Sequence, residues 1–77
     1  MTKAEKIKHF EDYKACFRAV CADFNKGDYT KAACTYGIIK RMYLLKEYGT
    51  EALEEKILQD YKIDRSDFVE RVILMNI

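Results

Sequence analysis

From residue 3 to residue 25 the apolar side chains return at helical spacing. Phe10, Tyr13, Phe17, Val20, Cys21 and Phe24 fall on one broad stripe at about 100° per residue, with Ile7 at its edge. Lys8, Glu11, Asp12, Lys14, Arg18 and Asp23 take the remaining face, so the pattern predicts an amphipathic helix over 3–25. Thr2 followed three residues later by Glu5 has the form of a capping box at its start. Asn25-Lys26-Gly27-Asp28 then reads as a stop and restart. Gly27 suits the left-handed conformation that ends a helix, and Asp28 suits the cap of the next. So short a connection makes the two helices antiparallel neighbours.

The second helix, 29–48, is apolar on two sides. Ala32, Tyr36, Ile39 and Tyr43 share one face, and Cys34, Ile38, Met42 and Leu45 share roughly the opposite one, with Lys31, Arg41 and Lys46 between them. Such a helix is expected at the centre of a bundle, packed on both flanks. Gly37 in its middle weakens it by about 1 kcal/mol relative to Ala and therefore predicts a close helix crossing. Gly49 ends it and Thr50 caps a third helix over 51–62, with Leu53, Ile57, Leu58 and Tyr61 inward. Glu51, Glu54 and Glu55 suit the positive end of that helix. Asp64 opens a fourth helix over 65–76, where Ile63 and Phe68 form a hydrophobic staple. Phe68, Val69, Val72, Ile73 and Met75 make its apolar face, while Leu74 and Ile77 point elsewhere.

The expected fold is all-α: one domain over 1–77, a bundle of four helices with short turns and the second helix central. With only 77 residues the chain buries roughly 60% of its unfolded surface, so its margin of stability is thin. No run approaches the ~18 apolar residues of a membrane span, and the first residues lack the apolar stretch of a signal peptide. Three cysteines outside a secretory context read as reduced thiols, which places the chain in the cytoplasm as an expectation.

A net charge of +1 disfavours wholesale nucleic-acid binding, but the charge is unevenly spread. Residues 1–49 hold ten Lys/Arg against six Asp/Glu, and residues 50–77 hold four against seven. A bipolar chain satisfies itself internally, dimerises head to tail, or presents two surfaces of opposite sign.

None of the familiar reactive constellations is complete. His9 and Cys16 are seven residues apart, about 10 Å along a helix, and Cys16 and Cys21 lie on opposite edges of the stripe, so no metal site is expected. The single His9 has no nucleophile and orienting group arranged beside it, so neither catalysis nor a cofactor is expected. The run from Asp23 to Asp28 begins like a calcium-binding loop, but Asp28 and Cys34 stand where glycine and glutamate are required. A helix-turn-helix over about 53–74 has Ile63 in its turn. Lys62 replaces the usual glycine, however, and Asp64, Asp67 and Glu70 would face phosphates against only Arg65 and Arg71.

Gly27-Asp28-Tyr29, then Ala32 and Tyr36, resembles the turn and second helix of one tetratricopeptide repeat over about ten residues. Val20 departs from the small residue that pattern wants, and a lone repeat could not bury its own face, so no peptide-binding residue is carried over.

What remains are surfaces. Tyr29, Tyr36 and Tyr43 recur every seven residues, and tyrosine is enriched at interfaces; the alternative is a core flank against the first helix. Leu74 and Ile77, if uncovered, mark a contact with a partner. These five residues are the candidate partner-binding set. The function expected is non-catalytic: a regulatory, adaptor or inhibitor protein, of the kind phages and mobile elements encode, that binds another protein or itself as a homodimer. The alternative is a DNA-associated regulator using Lys3, Lys6, Lys8, Lys14 and Arg18 as phosphate contacts.

Overall fold

A computed structural model describes residues 2–43 and 50–76 of the chain, Tyr43 without its side chain. Helix α1 spans Lys3–Asn25, α2 spans Tyr29–Tyr43, α3 spans Glu51–Asp60 and α4 spans Arg65–Phe68. Beyond α4 the chain stays helical but changes pitch, through a π-helical turn at Val69–Ile73 and a 3-10 turn at Leu74–Asn76. The fold is the expected all-α bundle. Leu45, Gly49 and Ile77, and the side chain of Tyr43, lie outside the described residues.

The stripe read from α1 is the stripe it buries: Tyr13, Phe17, Val20, Cys21 and Phe24 are buried, and Phe10 packs against them. Thr2 Oγ1 accepts the Glu5 amide at 3.2 Å, fixing the helix start. At the other end Asp28 donates to the Asp23 carbonyl and Gly27 to that of Phe24, both at 3.0 Å, with Gly27 at φ 82°. This is the Schellman arrangement, in which a left-handed residue closes the helix. Asp28 then accepts the Lys31 amide through Oδ1 at 3.3 Å and so opens α2.

The same arrangement closes α3. Ile63 donates to the Leu58 carbonyl at 2.9 Å and Lys62 to that of Gln59 at 3.0 Å. Here Lys62, at φ 57°, takes the left-handed position that glycine usually holds. Holding a side chain in that conformation costs about 1–2 kcal/mol. The burial of Ile63 and Leu58 on either side of the turn offsets that strain. Asn25 Nδ2 donates to the Tyr61 carbonyl at 3.0 Å, tying one helix ending to the other. Asp64 Oδ2 accepts the Asp67 amide, as the cap of α4 requires.

Thr50 differs from expectation. Its hydroxyl does not cap α3, because it is drawn to Lys40 and Glu54 instead. The second helix differs too. It lies between α1 and the C-terminal stretch, but both neighbours meet the same arc, which carries Ala32, Ala33, Tyr36, Gly37 and Ile39. The opposite stripe of Cys34, Ile38 and Met42 is left in solvent.

Phe68 is the hub of the core. Its ring lies 5.5 Å from Phe17, 5.5 Å from Tyr36 and 5.9 Å from Phe24, joining α4 to α1 and α2 with the edge and tilted contacts aromatic rings favour. At Gly37 the space expected for a crossing helix is taken instead by the side chain of Asn76. A Cβ at position 37 would overlap the Asn76 carboxamide oxygen. That carboxamide is anchored, since its Nδ2 donates to the Ala33 carbonyl at 3.0 Å and the Val72 carbonyl at 2.9 Å. The contact holds the C-terminal turn against α2.

Gly37→Ala is therefore expected to forfeit its usual gain. In the natural chain the about 1 kcal/mol of helix propensity is cancelled or reversed by eviction of Asn76, whereas in an Asn76→Ala background it is recovered. Urea denaturation of the four chains measures the coupling, and strict additivity would show that the Asn76 contact contributes nothing.

Candidate functional site

The most unusual chemistry lies inside the bundle. Glu54 is 5% exposed, deep among apolar neighbours where a carboxylate without partners is strongly disfavoured. Three helices supply what it needs. Oε2 accepts the phenol of Tyr36 at 2.9 Å and that of Tyr13 at 3.2 Å. Oε1 accepts Lys40 Nζ at 3.0 Å and the Thr50 hydroxyl at 3.2 Å. Lys40 Nζ donates to Thr50 Oγ1 as well, at 3.1 Å, and lies 5.6 Å and 5.4 Å from the Tyr13 and Tyr36 ring centres. The ammonium balances the carboxylate, and the ring faces add a cation–π attraction.

Four donors on two oxygens fill the carboxylate's accepting capacity. Such a group has no lone pair left for a substrate proton, and its chemistry is that of a clamp between α1, α2 and the start of α3. The phenols respond to it. Burial, and then the adjacent Glu54 charge, hold both Tyr13 and Tyr36 far above the usual tyrosine range. Burial, and then Glu54, push the Cys21 thiol up to about 12. A thiol so disfavoured as thiolate is a poor nucleophile.

Glu54 was legible in principle. It lies three and four residues before Ile57 and Leu58, on the stripe that α3 turns inward, whereas Glu51 and Glu55 face solvent. Reading all three as complements to the helix dipole hides the difference.

The residues singled out as partner-binding candidates scatter. Tyr36 is core and spends its hydroxyl on Glu54. Tyr29 is half-buried, its ring 5.0 Å from Phe24 and covered by the Arg71 guanidinium at 4.4 Å. Leu74 is 51% exposed. Tyr29 and Arg71, with Thr30, Glu70 and Met75, line a cleft of about 290 Å3 between α2 and the C-terminal stretch. His9 and Cys16 are half-buried, Cys21 is buried and Cys34 exposed, and among the described residues no three His, Cys, Asp or Glu side chains are grouped to hold a metal. No described helix is long and apolar enough to cross a membrane.

The apolar side chains on α2 that the sequence pattern expected to be packed are exposed instead. Ile38 is 54% and Met42 64% exposed, and Cys34 lies on the same stripe. Asn76 abuts Gly37, whereas Met75 lies with Tyr29 and Thr30 near the start of α2.

Removing the clamp should be felt throughout the bundle. Glu54→Ala strands Lys40 and two buried phenols and is expected to lower stability by about 3 kcal/mol, while Glu55→Ala on the solvent side stays within about 0.5 kcal/mol. Urea denaturation tests this, and equal effects would dismiss the clamp. A second expectation concerns alkaline pH. Tyr13, Tyr36 and Cys21 keep their protons in the folded chain at pH values where the unfolded chain releases them. The stability tied to these raised groups is complete below about pH 9 and is lost as pH rises beyond it. Tyr13→Phe and Tyr36→Phe should each remove about one proton from the slope between pH 9 and 12. An unchanged slope in both variants would refute the assignment.

Compared with known protein families, with curated proteins and with solved structures, the chain matches none.

Proposed function

We propose that this chain is a non-catalytic protein-binding module with a regulatory, adaptor or inhibitory role. The observation that carries the reading is that the core closes without Ile38, Met42, Leu74 and Met75. A small domain has few apolar side chains to spare, so large ones left in solvent are candidates for a binding surface. The interior supports the reading from the other side, because the one carboxylate buried among the described residues is saturated by the chain's own donors.

The DNA-binding alternative draws some support from the left-handed Lys62 in the turn between α3 and α4. Against it, α4 is four residues long before its pitch changes, and Asp64, Asp67 and Glu70 crowd the surface that would meet phosphates.

Ile38→Glu and Met75→Glu are expected to keep the helicity and the urea midpoint of the natural chain, since both side chains are more than half exposed. Affinity capture from host lysate, compared by mass spectrometry, should then lose specific proteins with each variant. Identical captured sets from natural and variant chains would end this reading, and a mass of two chains by light scattering would assign the surface to a second copy.

A further inference from the structure

We propose that the outer face of α2 receives an acidic amphipathic helix from a partner protein. This rests on the protein-binding reading and names the surface and the chemistry of its occupant. Cys34, Ile38 and Met42 follow one another at intervals of four residues, forming a ridge about 12 Å long on the exposed side of the helix. Ridges of that spacing pack into the matching grooves of another helix.

The charge beside the ridge has one sign. From Tyr29 to Tyr43 the chain carries Lys31, Lys40 and Arg41 and no Asp or Glu. Lys40 turns inward to Glu54 at 3.0 Å, which leaves Lys31 and Arg41 for the outer face. Both are exposed. Lys31 reaches Asp23 only at 4.0 Å, and Arg41 has no ion pair among the described residues. Two under-compensated cations flanking an apolar ridge are complemented by a helix with carboxylates on either side of its own apolar stripe.

The same charges argue against pairing α2 with α2 of a second copy. An antiparallel copy that sets Cys34 against Ile38 also sets Lys31 against Arg41, twice over, without a carboxylate between them. A membrane surface is served poorly as well, because three side chains over two turns bury too little to hold a helix in lipid.

The test uses the full chain and two designed helical peptides about 20 residues long. They share one leucine stripe, flanked by glutamates in one peptide and by lysines in the other. Binding is followed by amide chemical shifts, with phosphatidylserine vesicles as a third probe. The glutamate peptide should bind at least about tenfold more tightly than the lysine peptide and shift the amides of residues 31–42. Lys31→Glu combined with Arg41→Glu should reverse that preference, and Ile38→Glu should abolish both interactions. Ile38→Ala, which keeps the helix intact, should weaken them to a lesser degree.

Equal binding of the two peptides, shifts confined to another surface, or vesicle binding that needs Ile38 would overturn the proposal. So would a dimer that Ile38→Glu dissociates. If the charge variants capture the same host proteins as the natural chain while Ile38→Glu loses them, the acidic partner is wrong and the binding module stands. If Ile38→Glu and Met75→Glu both lose nothing, the two fall together.

Discussion

Burying the Glu54 carboxylate removes its water, and the bundle can close only if α1, α2 and α3 return the lost hydrogen bonds at once. A charge taken into an apolar interior is tolerable only when it is paired and its acceptor positions are filled. Tyr13 comes from α1, Tyr36 and Lys40 from α2, and Thr50 from the start of α3. A shift of any one helix along its axis would leave an oxygen or a donor stranded. Greasy contacts alone tolerate small displacements far better, so the polar cluster restricts the register that aromatic packing permits.

The aromatic cluster does complementary work. Phe68 brings α4 against Phe17, Phe24 and Tyr36, and Tyr36 belongs to both systems, its ring in the aromatic cluster and its hydroxyl on Glu54. The two Schellman endings, closed by Gly27 and Lys62, stand side by side through the bond from Asn25 to Tyr61. Strain at Lys62 is therefore held by neighbours that are themselves anchored. Small domains depend on such shared residues, because there is too little interior to give each task its own.

That economy explains where the apolar residues outside the core fall. The interior is complete once one arc of α2 is covered, and the Asn76 anchor at Gly37 fixes the side from which the C-terminal stretch approaches. Cys34, Ile38 and Met42 are then on the far side of a helix whose inner side is fully occupied. With Lys40 drawn inward to neutralise Glu54, Lys31 is left with Asp23 at 4.0 Å and Arg41 with no ion pair among the described residues. The internal clamp and the external charge imbalance thus have one origin.

Local rules were enough to read much of this chain. Period and capping residues determined the α1 stripe, the Gly27–Asp28 junction, the Asp64 cap and a close approach at Gly37, though not that a side chain would make it, because each depends on residues within a turn or two of one another. The sequence also held Glu54 on the inward stripe of α3, but nothing nearby showed that Tyr13, forty-one positions earlier, would reach it. Only the tertiary structure decided that Thr50 abandons its capping role and that Tyr36 is core. It also decided that the second apolar face of α2 goes uncovered. The physical reason is that helix formation is settled by neighbours in the chain, whereas which face is buried depends on where other helices dock. That docking is selected by the simultaneous satisfaction of a buried charge and a closed aromatic core.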